Sequence, residues 1–309
     1  MSGRMPDHAQ DWNFIDSFRQ RCTLSADPEV PGKSCEDWEG TTWTALPEFF
    51  KTNNYWTVGT GKLFHPNLPV DNDNPRSWSV NASDPGRNSG CTCPSAPTAD
   101  APFAPMYCGL PANTTCPDVV IADTAVGYLQ QWEKETAGGT QTKPFFVGMG
   151  IHKPHLPWGV PQEFLDLYEP IADIPLAAHK TFPVDSPPIA YHSCHWAPFS
   201  GGCGGGNSSD QTGGQGPGWC ALNEGGGPAN CTPGGEVISD EFAQHARHGY
   251  YAAVSFADSL LGKLLTQARS MKEWENTVVL LTSDHGWQLG EHNEWCKTTA
   301  TSQAMGRGL

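Results

Sequence analysis

The sequence predicts an α/β fold with a mostly parallel central sheet and helices on both faces. Two long stretches, residues 118–137 and 241–270, have the apolar spacing of amphipathic helices. Short runs rich in aromatic and β-branched residues precede, separate and follow them, as expected of buried strands, at residues 55–59, 145–151 and 277–282. Strands that alternate with helices favour parallel pairing, because a helical crossover returns the chain to the same end of the sheet.

Local composition predicts the remaining elements. A short helix is expected at residues 46–52, and the strand at 55–59 then runs into Gly61-Lys62-Leu63-Phe64-His65. Two regions rich in proline, glycine, asparagine and serine, residues 66–117 and 159–235, lack periodicity. They are predicted to be loop-rich insertions, because such composition does not form a packed core by itself.

The charge of the chain limits the classes of function it can have. It has 309 residues and a net charge of −15, from 33 acidic and 18 basic side chains. A surface that binds nucleic acid is therefore not expected, and any anionic substrate must be held by a few local cations. No apolar run approaches the ~18 residues of a membrane-spanning helix, so no membrane span is predicted. The opening residues also lack the apolar core of a signal peptide.

Eleven cysteines are many for a cytosolic protein, and most lie in two groups within glycine- and proline-rich segments. The groups are Cys91, Cys93, Cys108 and Cys116, then Cys194, Cys203, Cys220 and Cys231. Disulfides are expected rather than zinc, because Cys91-Thr92-Cys93 is too tight for the usual spacer between metal ligands. Sequons for N-glycosylation lie in the same segments, at Asn81, Asn113, Asn207 and Asn230. Together these features predict a secreted or lysosomal glycoprotein.

Chemically reactive side chains follow three of the predicted strands. They are Lys62 and His65 after the first, Lys153 and His155 after the second, and Asp284 and His285, with Lys297 beyond, after the third. Carboxyl ends of parallel strands meet at one edge of a sheet, where such folds place their ligands. Lysines there can neutralise the oxygens of a tetrahedral anion, an imidazole can protonate a leaving oxygen, and an aspartate beside a histidine can hold a metal. The set therefore predicts a pocket for sulfate or phosphate esters.

Each of these motifs by itself has a simpler interpretation. Lys62 could face water, His155 could be a loop histidine held between two prolines, and Asp284 could cap a helix. Their joint position at three strand ends is what favours an active site.

The segments that carry these groups resemble the sulfatases of the alkaline phosphatase superfamily, most closely the iduronate-2-sulfatase-like branch. The resemblance is collinear and covers residues 2–7, 61–66, 150–157, 187–191, 250–258 and 283–297. His152-Lys153-Pro154-His155 and the block that begins with Ser283-Asp284-His285 are specific, whereas Gly61-Lys62 alone would be weak. The resemblance implies an alkaline-phosphatase-like sandwich, and an enzyme that removes sulfate from sulfated sugars such as glycosaminoglycans.

The same resemblance implies two cofactors. Sulfatases of this kind use a cysteine converted to formylglycine, whose hydrate attacks sulfur, and a calcium ion that binds the sulfate oxygens. Asp284 and His285 would supply part of the calcium shell, and Lys62 and Lys297 would contact the sulfate or the nucleophile.

Two histidines receive acid–base roles from the resemblance. His155 would protonate the departing sugar oxygen. His65 would hydrogen-bond the formylglycine diol and later accept its proton. The neighbouring His152 and Lys153 are interpreted as residues that support the site or line the substrate rim.

The resemblance has a gap at its start. The motif Cys-x-Pro-x-Arg, from which formylglycine is made, does not occur in the sequence: proline follows Cys93 directly, and Cys231-Thr232-Pro233 lacks the arginine. Residues 1–309 are therefore predicted to be a partial sulfatase catalytic domain, with Met1 internal to a longer protein and residues 298–309 a divergent tail. The chain by itself is expected to be inactive, and its full-length parent would need a formylglycine-generating enzyme as a partner.

Two other functions stay open. A phosphodiesterase or phosphonate hydrolase of the same superfamily would share the metal-binding strand end, although the motifs at residues 61–65 and 152–155 favour sulfatases. A secreted, disulfide-rich glycoprotein that binds sulfated glycans without hydrolysis would explain the cysteines and sequons, but not Lys62, His155 and Lys297.

Overall fold

The structure, a computed structural model, describes residues 1–4, 6–9, 17–24, 33–37, 42–65, 68–86, 91–95, 97–99, 102–104, 106–181, 183 and 239–297. Along the chain the elements are α1 (Pro6–Ala9), β1 (Gln20–Leu24), β2 (Lys33–Asp37), α2 (Leu46–Thr52), β3 (Trp56–Gly61), β4 (Tyr107–Leu110), α3 (Pro117–Ala137), β5 (Phe145–Gly150), β6 (Trp158–Pro161), α4 (Gln162–Asp166), α5 (Asp240–Ser270), β7 (Gln288–Leu289) and β8 (Trp295–Cys296).

The chain forms two compact units. The first consists of Met1–Thr92, Asn113–His155 and Val254–Thr277, and the second of Cys93–Ala112, Leu156–Ala253 and Val278–Leu309.

The first unit is organised around the parallel strands β3 and β5, in which Trp56 lies opposite Phe145 and Gly61 opposite Gly150. Two antiparallel strands, β1 and β2, precede this pair in the chain. The strands predicted at residues 55–59 and 145–151 are therefore confirmed, with boundaries shifted by one or two residues. The three predicted helices are confirmed as α2, α3 and α5.

Helices cover both faces of the β3–β5 pair. On one face Trp56 packs with Trp132 of α3 and Ala268 of α5. On the other face Phe146 stacks on Phe50 of α2, with ring centroids 4.8 Å apart. Neighbouring side chains of a strand point to opposite faces, so the apolar run of β5 supplies both cores. The prediction of parallel strands with helices on both faces is confirmed.

Two glycines let the strands approach closely where the pair ends. Gly61 has φ +78°, in the left-handed region, and a Cβ atom there would lie 2.1 Å from the carbonyl oxygen of Gly150. A Cβ atom on Gly150 would lie 2.3 Å from the carbonyl carbon of Lys62. The amide of Lys62 donates to the oxygen of Gly150 at 2.8 Å, so pairing continues one residue past β3. A contact that only glycine allows therefore fixes where the chain leaves both strands.

The second unit contains the parallel pair β4 and β6, with Tyr107 opposite Trp158, and the antiparallel pair β7 and β8. α5 packs closely on the first pair, because a Cβ atom on Gly249 would lie 2.8 Å from Tyr107. Trp158, Tyr250 and Trp287 form an aromatic cluster, with ring centroids 5.7 to 6.1 Å apart. β4, β6 and α4 were not predicted, since elements of four or five residues are too short to show a clear period.

Disulfides link all four cysteines of the first predicted group. Cys91 pairs with Cys116, and Cys93 pairs with Cys108. The prediction of disulfides rather than a zinc site is confirmed for these four. The second group of cysteines lies outside the described residues.

The predicted strand at residues 277–282 is wrong. This stretch forms no strand with any described residue. Val278 is 92% exposed and Leu281 71% exposed. A strand requires a neighbour to pair with its backbone N–H and C=O groups, and the apolar pattern of the sequence does not reveal whether that neighbour is present.

Two further expectations concern the glycosylation sequons and a membrane span. Asn81 and Asn113 occupy exposed positions, whereas the sequons at Asn207 and Asn230 lie outside the described residues. Glycosylation stays a prediction. None of the helices in the described part of the chain is long and apolar enough to cross a membrane.

We expect Gly61→Ala to destabilise the protein. The left-handed backbone alone should cost about 1–3 kcal/mol of unfolding free energy, and the contact with Gly150 should add to it. Gly127→Ala in α3 is the matched control, because nothing lies within 4 Å of a Cβ atom at that position. The control should gain about 0.5–1 kcal/mol of unfolding free energy, since alanine is more stable than glycine inside a helix. Urea unfolding measures both, and equal midpoints for the two variants would contradict the strand-end contact.

We expect the paired substitution Cys93→Ala and Cys108→Ala to lower the unfolding free energy by about 3 kcal/mol, as for a loop of this length. The two residues are 15 apart in sequence. Denaturant unfolding measures the loss. Peptide mapping without reduction should recover the link from Cys93 to Cys108, and a link from Cys93 to Cys116 would show that the assigned connectivity is wrong.

Candidate functional site

Lys62 and His65 follow β3 in the first unit. The amide of Lys62 is held by the oxygen of Gly150 at 2.8 Å, and its side chain is half-buried. His65 is exposed, and its carbonyl accepts the amide of Leu68 at 2.8 Å, which closes a short turn. Both side chains thus lie just beyond the carboxyl end of β3, as the sequence predicts.

The segment His152–His155 follows β5, and the carboxylate of Asp118 holds its start. The amide of His152 donates to Asp118 Oδ1 at 2.7 Å, and the amide of Lys153 donates to Asp118 Oδ2 at 3.2 Å. His155 completes the turn, since its amide donates to the carbonyl of His152 at 3.0 Å. Asp118 lies in the first turn of α3, where exposed N–H groups favour a negative charge.

The imidazole of His152 is buried against a second carboxylate. His152 Nε2 lies 2.8 Å from Asp84 Oδ1, and the two side chains are 3% and 11% exposed. The amide of Gly86 also donates to Asp84, at 2.9 Å. Burial acts to raise the pKa of Asp84, but the hydrogen bonds from His152 and Gly86, with the positive charges of His152 and Lys62, lower it below its usual value. Asp84 therefore stays ionised beside the segment that follows β5.

Lys153 is a buried cation in the first unit. It is 8% exposed. Burial lowers the pKa of Lys153 from 10.5 to about 8, although the charge of Asp118 partly opposes the shift. A lysine with this pKa exists in both charged and neutral forms near neutral to mildly alkaline pH.

Asp284, His285 and Lys297 lie in the second unit. The Asp284 side chain is 58% exposed, and its Oδ2 atom lies 3.4 Å from His285 Nε2. The other ring nitrogen of His285 lies 2.8 Å from the carbonyl of Gly286. Just beyond, Trp287 joins the aromatic cluster with Trp158 and Tyr250, which anchors the chain after the Asp284-His285 pair.

The two predicted metal ligands do not form a calcium site by themselves. Calcium takes about six to eight oxygen ligands, whereas Asp284 offers one carboxylate and His285 a nitrogen. Within the described ranges no cluster of three or more histidine, cysteine, aspartate or glutamate side chains could hold a metal. Further ligands would have to complete any shell to which these two residues contribute.

Six predicted site residues are divided between the two units. Lys62, His65 and His155 lie in the first, just after two hydrogen-bonded parallel strands. Asp284, His285 and Lys297 lie in the second. Their assembly into one site therefore stays a prediction, as does the prediction that residues 1–309 form a single partial catalytic domain.

Sequence reasoning missed Asp84 and Asp118 as members of the site. Asp118 has a signal in the sequence, since it follows Pro117 at the start of a helix pattern, where a carboxylate often satisfies N–H groups. Asp84 has none, because it lies in a region without periodicity, 68 positions from its partner His152.

Comparison with known proteins identifies relatives. The family described as Sulfatase matches residues 27–308. Iduronate 2-sulfatase of Homo sapiens is 31% identical over 265 residues, which cover 82% of this chain and 42% of the human protein. A sulfatase of Formosa agariphila is 27% identical over 263 residues, which cover 82% of this chain and 43% of that protein. The chain thus spans about two fifths of the length of these relatives.

A solved structure supports the fold. The phosphonate monoester hydrolase of Agrobacterium radiobacter matches with a TM-score of 0.53 at 16% identity, over 85% of this chain and 51% of that protein. At this identity the match shows a shared fold rather than a shared reaction. The predicted fold class, an α/β sandwich with parallel strands and helices on both faces, is confirmed.

We expect the stability of the wild-type protein to rise relative to Lys153→Met as the pH increases from 8 to 10.5. Because the pKa of Lys153 is lowered to about 8, the folded state binds fewer protons than the unfolded state in this range. Below pH 8 the free energy of folding therefore includes the full cost of burying the charged amine of Lys153. This cost disappears as the pH rises. Lys263→Met is the control, since that side chain is 47% exposed and pairs with Asp123. Thermal unfolding at each pH measures the difference, and a constant difference would contradict burial of the amine.

Proposed function

Because the chain belongs to the sulfatase family, we propose that the protein is a sulfuric ester hydrolase that removes sulfate from sulfated sugars such as glycosaminoglycans. The observation that carries this proposal is the agreement of two independent facts. The family match extends over residues 27–308, and Lys62, His65 and His155 follow the carboxyl ends of two hydrogen-bonded parallel strands. That edge is where α/β folds place their ligands.

The residues of the first unit suit cleavage of a sulfate ester. In the proposed reaction a nucleophilic oxygen attacks sulfur, and the bond between sulfur and the sugar oxygen breaks. Lys62 places positive charge beside the sulfate oxygens, and His155 donates a proton to the departing sugar oxygen. His65 accepts a proton when the enzyme is regenerated.

The cofactors of the proposed reaction are formylglycine and calcium. Formylglycine, when present, supplies the nucleophilic oxygen. We propose that Asp284 and His285 contribute to a calcium site that other oxygen ligands complete, and that Lys297 contacts the sulfate. The chain contains no Cys-x-Pro-x-Arg, so a formylglycine-generating enzyme would act on a longer form of the protein. The chain by itself is proposed to be inactive.

The relatives and the surface support a substrate class and a compartment for this proposal. The human relative is named for a sulfated iduronate, and we propose a sulfated sugar of that class as the substrate. The exposed sequons at Asn81 and Asn113, together with the two disulfides, favour a secreted or lysosomal location.

We expect residues 1–309 alone to hydrolyse neither a sulfated iduronate disaccharide nor 4-methylumbelliferyl sulfate above the buffer rate. A longer form that carries an in-frame Cys-x-Pro-x-Arg, read from the transcript upstream of Met1 and produced with a formylglycine-generating enzyme, should hydrolyse both. His155→Gln in that form should slow hydrolysis of the sugar sulfate by about 10²–10⁴-fold. Hydrolysis of the aryl sulfate should slow much less, because the leaving oxygen of that substrate needs little protonation.

Three outcomes would replace the proposal. Sulfate-ester hydrolysis by residues 1–309 alone would show that the proposed inactivity is wrong. Faster hydrolysis of a phosphonate monoester or phosphodiester than of any sulfate ester would favour the phosphodiesterase alternative. Calcium-dependent binding of sulfated glycans without hydrolysis, in the longer form, would favour a non-catalytic glycoprotein.

A further inference from the structure

We propose that Asp118 and Asp84 are positioning residues, two carboxylates that hold the segment His152–His155 after β5 and so set the position of the His155 imidazole. The proposal rests on the proposed function for the reaction that this positioning serves. The contacts that carry it are independent of that reaction. Neither aspartate was identified from the sequence as part of the site.

Asp118 supplies the hydrogen-bond acceptors that a neighbouring strand would otherwise provide. β5 ends at Gly150, so the amides of His152 and Lys153 have left the strand pair, yet both are buried. The carboxylate of Asp118, itself 3% exposed, accepts them at 2.7 and 3.2 Å. A buried N–H group without an acceptor is costly, so this contact selects one path for the chain after β5.

Asp84 holds the same segment through the side chain of His152. Its carboxylate accepts hydrogen bonds from the His152 imidazole at 2.8 Å and from the Gly86 amide at 2.9 Å. With the His152 amide held by Asp118 and its ring held by Asp84, the residue is fixed at both ends. His155 lies one turn further, and its amide donates to the carbonyl of His152 at 3.0 Å.

The segment is held from two parts of the chain that are distant in sequence. Asp118 belongs to α3, and Asp84 belongs to the loop that follows β3. The amide of Gly61 donates to the carbonyl of Ser83 at 2.8 Å, so Asp84 directly follows a residue that is hydrogen-bonded to the end of β3. The two aspartates therefore connect both strand ends. Misplacement of a catalytic group by about 1 Å can cost 10²-fold in rate, so such supports matter for an acid catalyst.

The test compares Asp118→Ala, Asp118→Asn and Asp84→Asn with Asp123→Ala. Asp123 lies on the same helix, but its side chain is 54% exposed and pairs with Lys263. In residues 1–309, amide hydrogen exchange at His152 and Lys153 should be about 10-fold faster in Asp118→Ala than in the wild type. Asp118→Asn retains one acceptor oxygen, so only one of the two amides should lose protection. The Asp123→Ala control should leave both amides unchanged.

The position of His155 is read by NMR of its imidazole. Its ring shifts and its pH titration should change in Asp118→Asn and Asp84→Asn and should be the same in Asp123→Ala and wild type. Asp118→Asn keeps the shape of the side chain and serves if Asp118→Ala does not fold. Unchanged exchange at both amides, or an unchanged His155 ring in both asparagine variants, would overturn the proposal.

Turnover separates this proposal from the proposed function. In the longer, formylglycine-bearing form, Asp118→Asn and Asp84→Asn should lower kcat on a sugar sulfate by about 10- to 100-fold with little change in KM. If the wild type hydrolyses no sulfate ester, the proposed function fails, whereas the exchange and NMR results still decide the positioning role. A wild type that is active, with both variants equally active, would show that the two carboxylates only stabilise the fold.

Discussion

The close contact between Gly61 and Gly150 is the constraint on which the candidate site of the first unit depends. β3 and β5 run parallel and end at the same pair of residues, so the two chain segments that carry the reactive side chains leave the strands together. The amide of Lys62 continues the hydrogen bonding past β3, at 2.8 Å from the Gly150 oxygen. Any larger residue at either glycine would separate the strands and move Lys62 and His152 apart. The backbone is therefore as important to this site as its side chains.

Buried charge does not by itself identify a functional site in this protein. Arg19 is 5% exposed and donates to Asp73 at 2.9 Å and to Glu48 at 2.7 Å, which ties two loops to α2. That network has a structural explanation, because each charge has a well-placed partner and none lies at the end of a parallel strand. The pair Asp84 and His152 is also largely withdrawn from solvent, with side chains 11% and 3% exposed, but it fixes the turn that follows β5. Position relative to the sheet, rather than burial, separates the two cases.

The second unit depends on aromatic packing and disulfide linkage more than on a sheet. Its parallel strands have four residues each, and α5 packs against them through Gly249. Trp287, two residues after His285, is part of the aromatic cluster with Trp158 and Tyr250. Packing of this tryptophan gives the chain after Asp284 and His285 a defined direction, although the side chain of Asp284 itself remains largely exposed.

Elements with a local signal could be predicted from the sequence. The long helices, the strands β3 and β5, the disulfide-forming group of cysteines and the positions of Lys62 and His155 after strand ends could all be read from periodicity and composition. The apolar run at residues 277–282 could not be assigned correctly, because a strand depends on a partner elsewhere in the chain. The contacts of Asp118 and Asp84 with His152 could not be predicted from the sequence, because they join residues 34 and 68 positions apart. Periodicity records how one segment meets a core, and it carries no information about which distant carboxylate satisfies a particular N–H group.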